Sequence, residues 1–243
     1  MHRYVVSDAV KTRLLERQGK LASCDTIDAG RTALVVVDMQ NHFVAPGFPA
    51  EVPLSREIVP NINRLARAMR AAGGTVVWIQ TTAAGGLEQW SNYHRHMLTP
   101  ERRQKRLASL DEAAEGFKLY PALEVMPDDL RIKKIKYSAF IAGSSNIDAQ
   151  LKSRDIDSVL ISGTATNVCC ESSARDAMML DYRVTMLSDA NATWTDEEHA
   201  ATLNSFLLFF GDVLTTDEAI AKLVPVTSRK SAQGPFRTAR RMM

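Results

Sequence analysis

The sequence predicts an α/β protein of three layers: about six parallel strands in one sheet, with helices on both faces. Two observations carry this. Short continuous apolar runs, Ala33–Val37 and Thr75–Ile79 among them, have the composition of strands buried on both sides. Amphipathic helical patterns alternate with them along the chain, and that alternation builds parallel sheets from βαβ units.

Each element has its own signal. Residues 7–18, with Val10, Leu14 and Leu15 on one side, read as an amphipathic helical arm that packs on its own domain or on a partner subunit. The first strand, Ala33–Val37, ends at Asp38, and Pro46, Gly47, Pro49 and Pro53 make a loop of residues 41–54. Ser55–Ala72 reads as a helix with Ile58, Ile62, Leu65 and Met69 on one face, stopped by Gly73-Gly74. Thr75–Ile79 is the second strand, residues 81–99 are polar and loop-like, and Glu101–Glu115 is a charged helix. The third strand falls near Arg131–Lys136, followed by a short helix over Asn146–Arg154. Asp157–Ile161 is the central strand, and a helix over Glu171–Leu180 follows it, capped by Thr166 or Asn167. Arg183–Leu187, a helix over Thr195–Phe210 capped by Thr195, the strand Asp212–Thr215 and a helix over Asp217–Leu223 complete the pattern. A length of 243 residues suits one large domain, expected over 1–228, with a basic tail over 229–243.

Composition narrows the function. A net charge of +2 gives no argument for nucleic acid, and no apolar run reaches membrane-spanning length. Three cysteines, two of them adjacent, give no disulfide framework, and the first residues lack the apolar core of a signal peptide. The expected compartment is a reducing cytoplasm. No glycine-rich phosphate loop follows the first strand, which argues against a nucleotide-binding protein.

In open parallel sheets, ligands sit beyond the carboxyl ends of the strands where the strand order reverses. Asp38 stands at one such end, Cys169 just past another, and a lysine of Lys133-Lys134-Ile135-Lys136 near a third. A carboxylate, an ammonium and a thiol form a plausible nucleophilic set. Cys169 is expected in the first helical turn, where unpaired backbone N–H groups and the helix dipole favour thiolate. Helical phase separates the two cysteines. Cys170 shares an apolar stripe with Ala174 and Ala177, whereas Cys169 shares a polar stripe with Ser172, Ser173 and Asp176, so Cys169 reads as the accessible one. His94, His96 and His199 read as surface residues, and His42 as a candidate pocket wall.

Three stretches, taken together and in order, resemble a known family: Ala33–Asn41, Lys134–Phe140 and Gly163–Ala177. They are similar to the isochorismatase-like cysteine hydrolases, which include nicotinamidase, N-carbamoylsarcosine, ureidoacrylate and biuret amidohydrolases, and isochorismatase itself. The resemblance spans about Thr32 to Leu223. It implies a Rossmann-like fold, an Asp38–Lys134–Cys169 triad with Lys136 as the alternative lysine, and a cis peptide at Thr164–Ala165. It also implies an oxyanion hole from the amides of Ala165 and Cys169. Asn41, Tyr137 and Thr164 become candidate substrate contacts. The place where nicotinamidases carry metal ligands reads Trp78-Ile-Gln-Thr81-Thr82-Ala83, so no metal and no cofactor is expected. The implied activity is hydrolysis of a small amide, ureido or carbamoyl compound through a thioester, by a homodimer or homotetramer. A vinyl-ether hydrolase and a non-catalytic binding protein are the alternatives.

Overall fold

A computed structural model describes residues 1–226; the expected basic tail, 229–243, and the end of the expected domain, 227–228, lie outside the described residues. In chain order the elements are α1 (Asp8–Gln18), β1 (Ile27–Asp28), β2 (Thr32–Val37), α2 (Asn41–Val44), α3 (Val59–Ala71), β3 (Thr75–Thr81) and α4 (Gly86–Gln89). Then come α5 (Pro100–Ser109), β4 (Leu130–Lys134), α6 (Ile147–Lys152), β5 (Ser158–Thr164), α7 (Glu171–Met179), β6 (Arg183–Ala192), α8 (Asp196–Phe209), β7 (Asp212–Leu214), α9 (Thr216–Lys222) and β8 (Leu223–Val224).

The six-stranded sheet runs in the order β4-β3-β2-β5-β6-β7. Every pairing in it is parallel. The chain starts near the middle at β2, builds outward to β4, then returns to β5 on the other side of β2. The order therefore reverses between β2 and β5, which opens a crevice at their carboxyl ends.

Alternation of side chains across the strands makes two cores. Leu34, Val36, Val76, Trp78 and Leu160 pack on one face with Ile62, Leu65 and Met69 of α3 and Ala219 of α9. Ala33, Val35, Val37, Val77 and Ile161 pack on the other with Leu151 of α6, Ala174 and Ala177 of α7, and Phe206 of α8. Strands buried on both sides explain why these runs are apolar without a period of two. The arm α1 packs on its own domain, with Leu14 against Leu207 and Leu208 of α8.

Several sequence expectations need correction. The helix expected from Ser55 begins as a 3-10 turn over Pro53–Arg56, and the α-helix starts only at Val59, just before Pro60. Residues 81–99 are not a loop: they hold the end of β3, then α4, then a π-helical turn over Tyr93–Met97. The charged helix α5 stops at Ser109, short of Glu115. His199 and His94 are buried rather than on the surface; His96 is exposed. His199 spends its ring nitrogens on Thr166 Oγ1 at 2.9 Å and Ser188 O at 3.0 Å, which is how a polar ring is accommodated in a core.

Candidate active site

Asp38 is the first residue after β2. It adopts a left-handed φ of 54° while its backbone N–H donates to Ile79 O at 3.0 Å. This turn sets its carboxylate inside the protein, with 0% exposure. Lys134 ends β4, two strands away, and is also fully buried. Its long side chain crosses the end of β3, and its Nζ reaches within 2.8 Å of Asp38 Oδ2.

The bridge between them is Thr81, paired with Lys134 in the β3–β4 register. Its hydroxyl donates to Asp38 Oδ1 at 2.9 Å and accepts from Lys134 Nζ at 2.7 Å. Nζ donates a further hydrogen bond to Lys136 O at 3.0 Å. The Asp38–Lys134 contact is thus an ion pair held at the correct distance by hydrogen bonds made to others. The alternative lysine is directed elsewhere: Lys136 Nζ donates to Ala142 O at 3.4 Å. Burial opposes the Lys134 ammonium, but Asp38 and Cys169 outweigh it and hold its pKa above the ordinary lysine value.

Gln40 fixes the end of β3. Its side-chain amide donates to Thr81 O at 3.0 Å and Phe117 O at 2.9 Å, and its Oε1 accepts from Thr81 N at 2.7 Å. Neither Thr81 nor Gln40 stood out in the sequence. The one available signal was position, since Thr81 ends the strand beside the one that ends at Asp38.

Gly163 sits near the end of β5 with φ 116°, and a Cβ there would lie 2.1 Å from Val37 O. Glycine therefore lets β5 run close against β2, which brings the loop after β5 beside Asp38. The Thr164–Ala165 peptide is cis. Thr164 is buried, with its hydroxyl donating to Ala192 O at 3.3 Å.

The segment carrying the cysteines differs from expectation in two ways. Residues Thr166–Cys170 form a π-helical turn before α7, and neither Thr166 nor Asn167 caps it. Thr166 is committed to His199, and Asn167 Oδ1 accepts from Thr193 Oγ1 at 2.6 Å. Cys169 is buried, 5% exposed, as is Ser173 on the same stripe, whose Oγ accepts from Ala139 N at 3.0 Å; Ser172 and Asp176 are half-buried. Burial pushes the Cys169 thiol up to about 12; Lys134 pulls it down, while the charge of Asp38 and a hydrogen bond with it raise it. Burial of Cys169 thus works against the thiolate expected from a helix N-terminus. Cys170 lies fully buried in the sheet–helix core beside Ala174 and Ala177.

The remaining candidates surround this centre unequally. Asn41 is tied by its side-chain N–H to Glu115 O at 2.9 Å. Tyr137 belongs to an aromatic cluster, with Trp90 edge-on at 4.7 Å and Tyr93 at 5.4 Å, while Trp90 stacks on Tyr93 at 4.1 Å. The segment between β3 and α5 thus closes over Tyr137. Among the described residues no three His, Cys, Asp or Glu side chains are grouped to hold a metal ion, and no helix is long and apolar enough to cross a membrane.

Comparison with known proteins agrees with this architecture. Residues 32–218 match the isochorismatase domain model. The ureidoacrylate amidohydrolase RutB of Pseudomonas savastanoi pv. phaseolicola is 34% identical over 212 residues, covering 81% of this chain and 85% of that protein. A solved cysteine hydrolase from Pseudomonas syringae pv. phaseolicola 1448A superposes with TM-score 0.69 at 29% identity, over 81% of this chain and 94% of the other. An N-carbamoylsarcosine amidase from Thermoplasma acidophilum shares the fold, with TM-score 0.61 at 24% identity over 77% and 97% of the two chains. The class is that of hydrolases acting on carbon–nitrogen bonds other than peptide bonds. The chain belongs to the isochorismatase family.

Proposed function

We propose that Cys169 attacks the carbonyl carbon of a small amide, ureido or carbamoyl compound, with Asp38 as the proton carrier. In this reading Asp38 takes the thiol proton as the S–C bond forms. The carbonyl oxygen becomes an oxyanion received by the backbone amides of Ala165 and Cys169. Asp38 then returns the proton to the leaving nitrogen as the C–N bond breaks, leaving a thioester-type acyl group on sulfur. Water, deprotonated by Asp38, adds to that carbonyl and expels the thiolate, which recovers its proton.

The observation that carries this reading is the fully buried Asp38–Lys134 pair at 2.8 Å, next to a thiol whose proton affinity responds to both. A thiol held at about 12 is a poor nucleophile unaided, so a neighbouring base is needed. Lys134 keeps the carboxylate charge-balanced before attack and stabilises the thiolate as it forms. Tyr137, Thr164 and Asn41 are proposed as walls of the substrate site. The family resemblance supports a homo-oligomer, and three free cysteines suit a reducing compartment.

The test is an ammonia-release screen over small amides, ureides and carbamoyl compounds, run with wild type, Cys169→Ala and Cys170→Ala. Turnover lost in the first variant and kept in the second supports the assignment; the reverse pattern moves the nucleophile to Cys170. Cleavage of a vinyl ether with no ammonia released from any amide replaces the proposal with ether hydrolysis.

A further inference from the structure

Residues 1–7 belong to no helix or strand, yet every second one turns inward. His2 is buried and Tyr4 and Val6 are half-buried, whereas Met1, Arg3, Val5 and Ser7 are exposed. That is the alternation of an extended chain lying on a surface. The surface is α8. His2 Nδ1 meets Asp196 Oδ1 at 2.6 Å, Tyr4 OH donates to Asn204 Oδ1 at 3.1 Å, and Val6 packs with Leu207 and Leu208.

His2 does more than anchor this segment. Its side chain has 0% exposure, and its ring stacks on that of His199, with centroids 4.3 Å apart and planes 17° from parallel. His199 is the residue that holds Thr166 Oγ1 at 2.9 Å. His2 Nε2 lies 3.0 Å from Thr193 N and 3.2 Å from Thr193 O. The ring is therefore held to that backbone whether or not Nε2 carries a proton. Thr193 Oγ1 in turn donates to Asn167 Oδ1 at 2.6 Å. Two routes thus lead from one imidazole to two adjacent residues, Thr166 and Asn167. These residues open the π-helical turn Thr166–Cys170. They also lie between Ala165 and Cys169, whose amides are proposed to receive the oxyanion. Burying an imidazole is costly unless its nitrogens are bonded. Here both are, to residues at the junction of β6 and α8.

We propose that His2 is a positioning residue: segment 1–7 is a clasp whose inner end fixes Thr166 and Asn167, and through them the turn that carries Cys169. The clasp matters to turnover through the roles of Cys169 and the two amides, so it rests on the amidohydrolase reading. A loosened turn lets the sulfur and the amides drift relative to Asp38, and a misplacement of about 1 Å costs up to about 100-fold in rate. The walls proposed for the substrate are not touched, so the loss falls on kcat more than on KM.

Hydrogen exchange followed by mass spectrometry reads the turn without any substrate. In full-length His2→Ala, peptides covering 165–170 should exchange about five- to tenfold faster, as for the loss of one hydrogen bond. Peptides of β2 and β5 should keep wild-type rates, whereas plain destabilisation would speed those too. With a compound that releases ammonia from wild type, kcat should fall about 10- to 100-fold while KM stays within about threefold. His2→Gln keeps an acceptor for Thr193 N and should recover part of both losses. Tyr4→Phe keeps its ring but gives up Asn204, and should leave both readouts within about twofold of wild type. Unchanged exchange at the turn in His2→Ala, exchange raised equally across the sheet, or kcat intact despite a looser turn overturns the positioning role. An equal loss of kcat in Tyr4→Phe does the same. If no compound releases ammonia from wild type while the turn alone loosens, the clasp stands and the amidohydrolase reading falls.

Discussion

Replacing Lys134 with methionine should be far more damaging than its size suggests. Lys134 and Asp38 are both fully buried and 2.8 Å apart, so Lys134→Met leaves a carboxylate in the interior without its counter-charge. Breaking one side of a buried pair typically costs about 3–5 kcal/mol, most of it the desolvation of the partner left behind. For a domain of this size that is a fall in Tm of about 6–20 °C. The remaining bond from Thr81 to Asp38 Oδ1 offsets only a part, on the order of 1 kcal/mol. The same logic makes the double variant informative. Asp38→Asn with Lys134→Met removes both charges, and neutral replacement of a buried pair is often tolerated. Urea unfolding of wild type, both single variants and the double variant gives the coupling directly. The double variant should be more stable than Lys134→Met alone, and neither should turn over substrate. Losses that simply add, or a Lys134→Met protein within about 1 kcal/mol of wild type, would refute the claim that the two charges depend on each other.

Three further outcomes follow from the geometry. Thr81→Val keeps the shape of the side chain but removes the hydroxyl shared by Asp38 and Lys134; kcat should fall about 10- to 100-fold at nearly constant KM, with stability lower by ~2 kcal/mol, and activity within twofold of wild type would deny the bridge a role. Gly163→Ala should cost more than about 4 kcal/mol and abolish soluble expression, because its Cβ would meet Val37 O at 2.1 Å and its φ is 116°; a Tm within a few degrees of wild type contradicts this. Acid should destabilise the fold through two buried histidines, His42 and His199, lowered from 6.5 to about 3 and about 4, in each case chiefly by burial. The unfolded chain takes up these protons first, so the stability is present above pH 6.5 and is lost as pH falls through the folded values. At about 1.4 kcal/mol per tenfold change in proton affinity, His199 should contribute roughly 2–3 kcal/mol of the loss between pH 7 and 4.5. Urea titrations of His199→Gln at the two pH values should show a shallower dependence than wild type, and parallel dependences would remove His199 from the explanation.

The sheet was legible because its strands are covered on both faces. Burial on both sides demands continuous apolar runs, and Ala33–Val37 and Thr75–Ile79 supply them. Asp38 was legible because a charged residue that ends such a run can only be at a strand end. What the sequence hid were polar residues buried through specific partners. His199 sits against Thr166 and Ser188, and Ser173 against Ala139 N, yet polarity alone reads as exposure. Thr81 is a common residue type whose importance comes from strand register, which local pattern does not encode. The turn over Thr166–Cys170 is π-helical rather than a capped α-helical start. Helical phase still separated Cys170 from Cys169. It misread what Cys169 faces, because Cys169 and Ser173 are buried, with Ser173 bonded to Ala139 N, while Ser172 and Asp176 of the same stripe stay half-buried.

The account stands or falls on the sulfur of Cys169. Rapid acid quench of enzyme mixed with an excess of a compound that releases ammonia in the screen, followed by peptide mass spectrometry, reads it directly. The account predicts an acyl adduct on the peptide holding Cys169 and Cys170, present in wild type and in Cys170→Ala and absent in Cys169→Ala. Ammonia released at an undiminished rate by Cys169→Ala, with no adduct on any cysteine, would contradict it.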